Sequence, residues 1–274
     1  MFWVVSPLVT RLGRADLVPT DNPVWPILYL TNWLPDGYPA SFTLAHLWSL
    51  AVEEQFYLLW PAVVYLLSRR RLTWVCLGLL VAAPIIRCVF LLAGANLFTA
   101  YKFTFCRVDA LGMGALIALA TRDDEMNARL RRYLGPVACV SLLGLVAITA
   151  FTRTLLWKSP WMTTVGLSFT ALLGGCAVWI SLTLASHNRL LTSDRLKSVA
   201  KYSYGIYVLH PVIAMFLTGR LHSLFSGSFW GGLMTMLTLS AISLLAAMLS
   251  WWALESRAQR FKTLFPYPRI VRAS

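Results

Sequence analysis

The chain has 274 residues, of which 58% are hydrophobic and 13% charged, and its formal net charge is +13. Soluble domains carry about 25% charged residues, so this composition excludes an ordinary soluble domain. The Lys and Arg residues lie mostly in short loops between long apolar runs, which is typical of membrane topology and not of nucleic-acid binding. We therefore expect an all-α fold, a polytopic transmembrane helix bundle.

The first 45 residues predict a partial helix and a loop. Residues 1–9 are apolar but cover only about half a membrane span, which indicates the end of a helix whose beginning is absent. Residues 10–45 are polar and rich in proline, with a turn at 35–37. We expect them to form an extracytoplasmic loop.

Seven apolar runs then predict complete membrane spans. They lie at about 47–68, 72–93, 103–120, 134–152, 163–185, 202–219 and 230–254. The loops on one side hold 16 Lys and Arg residues and those on the other side hold 7. The richer side should be cytoplasmic. The prediction is a single integral domain over 1–274 in the cell inner (plasma) membrane, with the tail 255–274 in the cytoplasm.

The head of the first span carries polar residues that are costly in a membrane. On a helix, His46, Ser49 and Glu53 fall within about 60° of one face. A histidine, a hydroxyl and a carboxylate could support acyl transfer by polarising or deprotonating an acceptor hydroxyl, so these three are the candidate catalytic residues. The alternatives are a structural histidine, a helix N-cap or interhelical hydrogen bond at Ser49, and a structural ion pair of Glu53 with an arginine.

The predicted topology brings further charged residues to the same depth, and ionisable groups inside membranes usually face the bundle interior and mark function. These candidate substrate-binding residues are Glu54, Arg87, Arg107 and Asp109. Tyr204 and His210 of a later span are added to the substrate-binding set. Pro211 frees a carbonyl one turn back, so a kink is expected beside His210. That kink could line a cavity, or His210 could be a packing residue.

A run of three arginines, Arg69, Arg70 and Arg71, separates the first two spans and could bind the phosphates of a nucleotide-like donor. These residues could equally be topology anchors. Gly112 and Gly114 indicate close helix packing. The five cysteines show no metal-binding spacing and are expected to be buried, inert thiols, so no metal site is predicted.

Four motifs, in order, resemble the acyltransferase-3 superfamily of bacterial multi-pass membrane O-acyltransferases. The first is HLWSLAVEEQFYLLWP at 46–61, which carries the S-x-x-x-E pattern at Ser49 and Glu53. The second is RVDALGMG at 107–114, and the third is YSYGIYVLHP at 202–211. The fourth is Leu254–Glu255 followed by a basic tail.

The resemblance implies a bundle of about ten helices that transfers an acyl group, often acetyl, from acyl-CoA to a saccharide hydroxyl at the membrane. The expected partners are the lipid bilayer, a saccharide or glycolipid acceptor and acyl-CoA as donor substrate, with no bound cofactor and no nucleic acid. The chain departs from the family in lacking, at its start, the basic residue and histidine of the first helix and the Arg-x-x-Arg motif that follows. Either the sequence is a fragment, or it is a natural short form that has lost acyl transfer. The competing function is a non-catalytic polytopic membrane protein, such as a transporter or flippase component.

Overall fold

The computed structural model describes residues 24–34, 45–184, 192–225 and 228–260, and every regular element in these ranges is helical. The predicted partial helix at 1–9, the turn at 35–37, most of the loop that follows residue 184 and the tail beyond residue 260 lie outside the described residues. The chain divides into two units, Met1–His187 and Asn188–Ser274.

The α-helices are numbered here in chain order. In the first unit they are α1 Val24–Ile27, α2 Trp48–Leu66, α3 Arg69–Leu92, α4 Leu97–Lys102, α5 Val108–Ala120, α6 Asp124–Thr152 and α7 Leu167–Leu184. In the second unit they are α8 Asp194–Phe225, α9 Phe229–Ser250 and α10 Ser256–Arg260. Short 3₁₀ turns lie at Thr31–Trp33, Ala45–Leu47 and Thr104–Cys106, and π-helical turns at Met162–Gly166 and Trp251–Glu255.

Each of the seven predicted spans coincides with a helix, but the count of seven complete spans is not confirmed. Five helical stretches in the described residues are long and apolar enough to cross a membrane, and they correspond to α3, α6, α7, α8 and α9. The helix α5 is apolar but has only 13 residues. The helix α2 has 19 residues, and its second turn carries two glutamates and a glutamine that lower its hydropathy. The chain is thus a multi-pass membrane protein. Two further helices, α5 and α2, are respectively too short and too polar to count as complete spans.

The core of the first unit lies where α3, α5 and α7 meet. It consists of Cys76, Met113, Leu116, Ile117, Ala120 and Trp179. The indole N–H of Trp179 donates to the side-chain oxygen of Asn127 at 3.1 Å, which satisfies the one polar atom of this large buried side chain. The close approach of α3 and α5 occurs at Gly112, where an added Cβ would lie 3.0 Å from Cβ of Leu79. The prediction of close helix packing is confirmed for Gly112. It is wrong for Gly114, where an added Cβ would meet no atom within 4 Å.

Outward-facing side chains of these helices are large and apolar. Leu58 and Tyr65 on α2 are 80% and 89% exposed, and Leu92 on α3 is 82% exposed. A bilayer covers surfaces of this kind, whereas a soluble protein rarely leaves them in water. Among the five free cysteines, Cys76, Cys106 and Cys176 are buried as predicted, whereas Cys88 and Cys139 are exposed on helix surfaces.

The second unit is built on an antiparallel pair formed by α8 and α9. Gly205 faces Ala247, whose Cβ would lie 3.0 Å from a Cβ added at the glycine. One turn further out, the rings of Tyr202 and Trp251 meet edge to face at 6.1 Å, and the ammonium group of Lys201 lies 4.5 Å from the Trp251 ring centroid. A small residue at the crossing lets the two backbones approach closely.

Candidate functional site

A buried ion pair joins α3 to the first turn of α5. A terminal guanidinium nitrogen of Arg87 lies 2.8 Å from a carboxylate oxygen of Asp109, and the two side chains are 0% and 2% exposed. The position of Asp109 in the first helical turn adds a favourable interaction with the helix dipole. The sequence predicted both residues at one depth, and the structure brings them into direct contact.

Arg87 uses three further donors on backbone and hydroxyl groups. It donates to the carbonyl of Thr164 at 3.0 Å, to the carbonyl of Cys106 at 2.5 Å and to the hydroxyl of Ser168 at 2.5 Å. The Ser168 hydroxyl in turn donates to Asp109 at 2.8 Å. The pair is therefore part of a hydrogen-bonded network that fixes α3 against the start of α5 and the start of α7. Such additional hydrogen bonds are the condition under which a buried ion pair is tolerated.

Arg107, immediately before α5, has a different environment. Its guanidinium carbon lies 5.7 Å from the ring centroid of Trp48 and 5.3 Å from that of Tyr101. Such stacking on two aromatic rings is favourable for a guanidinium. Within the described residues Arg107 forms no ion pair, because Asp109 is bonded to Arg87. The contact with Trp48 connects Arg107 to the head of α2, where the candidate catalytic residues lie.

The head of α2 differs in detail from the sequence prediction. His46 lies in the 3₁₀ turn Ala45–Leu47, and the Ser49 hydroxyl donates to the His46 carbonyl at a long 3.5 Å. The helix begins at Trp48 and its capping position is Leu47, which makes no side-chain capping bond. The alternative reading of Ser49 as an N-cap is therefore wrong.

Glu53 is exposed on α2, and Glu54 is half-buried. Glu54 lines a shallow groove of about 390 Å³ with residues that include Tyr29. In the described part of the chain, neither Arg87 nor Arg107 pairs with Glu53. The alternative in which Glu53 forms a structural ion pair with one of these arginines is therefore wrong, since Asp109 on α5 is the carboxylate that pairs with Arg87.

A polar network next to Glu54 was missed by the sequence analysis. The Gln55 amide donates to the side-chain oxygen of Asn32 at 3.0 Å and to the Tyr29 carbonyl at 2.6 Å. Asn32 is fully buried and donates to the Thr104 hydroxyl at 2.7 Å, and that hydroxyl also bonds Gln55. The region predicted as an extracytoplasmic loop thus contains short helices that pack against α2. The signal for this network in the sequence was Gln55, a third polar residue directly after the two glutamates of α2.

The three arginines at the start of α3, Arg69, Arg70 and Arg71, are exposed and lie at the opposite end of this helix from Arg87. The 18 residues between positions 69 and 87 span about 27 Å of helix, so the three arginines do not join the charged network. Successive helical residues point about 100° apart, so the side chains of Arg69, Arg70 and Arg71 leave the helix in three directions.

The surroundings of these arginines differ as well. Arg69 forms an ion pair with Asp123 at 3.2 Å, whereas Arg70 and Arg71 form no ion pair within the described residues. The Asp123 side chain also accepts from the Met126 N–H at the start of α6. That backbone hydrogen bond, together with Arg69, holds the pKa of Asp123 below its usual value. Arg69 therefore has a structural contact, and phosphate binding by any of the three arginines stays a prediction.

Tyr204 and His210 lie on α8, in the second unit, and both are exposed. His210 has a clear local role, because its Nδ1–H donates to the Tyr207 carbonyl at 2.8 Å. This carbonyl is the one that Pro211 leaves without its usual helical partner. The sequence predicted the freed carbonyl, and the structure supplies the group that satisfies it.

The fold and this network define a multi-pass membrane protein with a buried, hydrogen-bonded charge network in the first unit and an exposed carboxylate, Glu53, on α2. Comparison with known families identifies the class of membrane protein. The family model described as an acyltransferase domain matches residues 2–254, and the chain belongs to this acyltransferase-3 family. The match covers both units, and no solved structure matches the chain.

Several curated proteins are similar to the chain. The peptidoglycan O-acetyltransferase OatA of Listeria monocytogenes is 25% identical over 228 residues, which are 76% of this chain and 35% of that protein. The protein YrhL of Bacillus subtilis is 28% identical over 69% of this chain and 32% of its own length. The O-acetyltransferase OatA of Staphylococcus aureus is 26% identical over 70% of this chain and 34% of its own. The chain therefore spans about a third of the length of the curated relatives it matches.

Proposed function

We propose that this chain transfers an acyl group from acyl-CoA to a hydroxyl group of a cell-envelope saccharide, and that the acyl group is acetyl. The observation that carries the proposal is the match of the acyltransferase domain over residues 2–254. The names of the Listeria and Staphylococcus relatives support O-acetylation, and the Listeria name supports peptidoglycan as the acceptor. The five apolar membrane-length helical stretches support a reaction at the membrane.

The head of α2 is the proposed place of the chemistry. The acceptor hydroxyl attacks the thioester carbonyl, a C–O bond forms, the C–S bond breaks and CoA leaves as the thiol. Glu53 is proposed to accept the hydroxyl proton and pass it to the leaving sulfur, with His46 and Ser49 orienting the acceptor. Two observations favour Glu53 for this role: it is exposed, and no arginine neutralises it in the described residues.

Arg107 is proposed to hold the charged segment before α5 against the head of α2. Its guanidinium lies on the Trp48 ring at the first residue of α2, and this cation–π contact joins the two segments. Arg87 and Asp109 are positioning residues, because their hydrogen bonds fix the start of α5 directly after Arg107.

Three further residues are proposed to contact the acceptor, and they are treated separately because they lie in different units. Glu54 belongs to the first unit, where it lines the groove beside Gln55. Tyr204 and His210 belong to the second unit, where their exposure on α8 leaves them accessible to a ligand.

Arg70 and Arg71 are proposed to hold the phosphates of CoA on the cytoplasmic side, joined by Arg69 when its exposed and therefore weak ion pair opens. The count of Lys and Arg in the loops supports this sidedness. The same count supports a cytoplasmic C-terminus, and the proposed location is the inner membrane of the cell. Donor and acceptor would then meet the protein at opposite ends of α3, about 27 Å apart. The thioester, still attached to CoA, must therefore reach across most of the bilayer to meet the acceptor at the head of α2.

The experiment is expression of the chain in a bacterial strain whose own wall O-acetyltransferases are deleted. Ester-linked acetate released from purified wall by mild base should rise above the empty-vector level. An unchanged ester content, with the protein present in the membrane at normal amount, would contradict the proposal. Export of an unmodified saccharide in that case would favour the transport function instead.

A further inference from the structure

A groove between α5 and α7 has no assigned occupant. It encloses about 410 Å³, with Arg107 and Asp109 at one end. Its walls are small or apolar, and four small residues from the two helices form much of its surface: Ala110, Gly114, Ala171 and Gly174. We refer to this feature as the α5–α7 groove.

The charged end of the groove carries a positive charge. Asp109 is paired with Arg87 at 2.8 Å. Arg107 contacts the rings of Trp48 and Tyr101 and forms no ion pair in the described residues. The three charged side chains together therefore leave one cation uncompensated at the head of an otherwise apolar groove. This arrangement is complementary to a ligand with an anionic head and an apolar tail.

The length of the groove fits one leaflet of a bilayer. Along α5 it extends from Arg107 to Ile117, and along α7 from Leu167 to Val178. Ten to eleven helical residues rise by about 15–17 Å, about half of the 30 Å hydrocarbon core. A transmembrane helix in this position would need about 20 residues of matching surface, and a saccharide would need polar groups along the walls. An acyl chain meets both the length and the chemistry.

We propose that the α5–α7 groove binds one acyl chain of an anionic glycerophospholipid, with the lipid phosphate at Arg107. A guanidinium forms strong charge-assisted hydrogen bonds with phosphate oxygens. The chain lies along Ala110 and Gly114 on one side and Ala171 and Gly174 on the other, where the absence of larger side chains leaves room for it.

Two glycines allow the groove to be filled without disturbing the packing. A Cβ added at Gly114 or at Gly174 would meet no atom within 4 Å. Leucine at either position would therefore occupy the space of the proposed lipid chain. Gly78 on α3 offers a matched control, since a Cβ added there also meets nothing within 4 Å and the residue does not line the groove.

The test uses the whole chain in lipid nanodiscs with photoactivatable phosphatidylglycerol or phosphatidylcholine, each carrying a diazirine on its acyl chain. Labelled peptides are mapped by mass spectrometry. We expect phosphatidylglycerol to label the segments 107–117 and 167–178 about fivefold more than phosphatidylcholine, the ratio that one basic residue at a membrane surface supplies.

Three substitutions locate the bound lipid. Gly114→Leu should lower the labelling several-fold and Gly78→Leu should leave it unchanged, while Arg107→Gln should equalise the two lipids. Gly174→Leu replaces Gly114→Leu if the latter does not fold.

Equal labelling by the two lipids in the unsubstituted protein would overturn the proposal. So would labelling that survives both groove-filling leucines, or cross-links that show another protein helix seated in the groove. The measurement contains neither acyl donor nor saccharide. Its failure would therefore leave the proposed acyl transfer untouched, and loss of acyl transfer would leave the lipid assignment untouched.

Discussion

The Arg87 guanidinium and the Asp109 carboxylate are 2.8 Å apart, and both are almost fully buried between α3 and α5. The carbonyls of Cys106 and Thr164 and the hydroxyl of Ser168 also accept hydrogen bonds from the arginine. Three helices therefore depend on one charged group for their relative position.

Removing one partner of this pair should destabilise the protein strongly. Asp109→Leu leaves a buried guanidinium without its counter-ion, and we expect a loss of about 3–5 kcal/mol. The double substitution Arg87→Met with Asp109→Leu removes both charges and should cost less than the sum of the single changes. Thermal unfolding in detergent, followed by circular dichroism, measures this coupling. Strict additivity of the two single changes would show that the ion pair is unimportant.

Two glycines on α5 should respond in opposite ways to alanine. At Gly112 the added methyl group lies 3.0 Å from Leu79 Cβ and 3.3 Å from the Cys76 carbonyl oxygen, so we expect a loss of about 1–3 kcal/mol from overpacking. At Gly114 the methyl group meets nothing within 4 Å, so helix propensity should dominate and stabilise by up to about 1 kcal/mol. Melting temperatures of the two variants in the same detergent provide the comparison. Equal shifts would contradict the helix contact described here.

The start of α6 should depend on Asp123 in a pH-dependent way. The Met126 N–H and the Arg69 guanidinium lower the pKa of Asp123. A lowered pKa in the folded state means that the contribution is present above the unfolded pKa of about 3.9 and is lost as the pH falls through the folded value. Asp123→Ala should therefore reduce the melting temperature at neutral pH but not at the acid end of a titration.

Asp123→Asn is the matched control at this position, because asparagine caps a helix as well as aspartate does. It should retain most of the neutral-pH stability and lose only the exposed ion pair with Arg69, which contributes little. If asparagine were as destabilising as alanine, the capping hydrogen bond to Met126 would not be the dominant interaction.

His210 and Pro211 should be energetically coupled. His210→Ala leaves the Tyr207 carbonyl without the donor that now lies at 2.8 Å, at a cost of about 1 kcal/mol. In a Pro211→Ala background the backbone N–H returns and bonds that carbonyl, so the same histidine change should cost little. A double-mutant cycle on thermal stability measures the coupling. An undiminished cost in the alanine background would show that His210 stabilises α8 by another route.

The fold was largely predictable from the sequence because long apolar runs leave a membrane chain few choices other than helices. The shared depth of Arg87 and Asp109 followed from topology alone. Their pairing did not, because it depends on side-chain direction across two helices and on Ser168, which is 59 residues further along the chain from Asp109.

Side-chain direction also determines which of the three adjacent arginines at the start of α3 forms an ion pair. The sequence showed three adjacent cations, Arg69, Arg70 and Arg71, but not that the first of them would pair with Asp123. That contact needs the start of α6 to return to the start of α3, and no spacing within the run encodes it.

Burial of Asn32 was not predictable from composition, since a proline-rich polar stretch indicates a loop and gives no sign of a partner. Its hydrogen bonds to Thr104 and Gln55 arise only after the stretch packs against α2. Gly112 and Gly114 lie two residues apart and therefore face nearly opposite directions on a helix. Their different roles become visible only when α3 is placed beside one of those faces.

The most direct test of the account is acetyl transfer by Glu53→Gln in the strain that lacks its own wall O-acetyltransferases. Glutamine keeps the shape of the side chain but cannot accept the proton, so we expect ester-linked acetate in the wall to fall by about a hundredfold or more. Glu125→Gln, which changes an exposed glutamate ion-paired with Arg129 on α6, should leave transfer unchanged. Wild-type acetate content with Glu53→Gln, at normal protein level, would contradict the assignment of this carboxylate to the reaction.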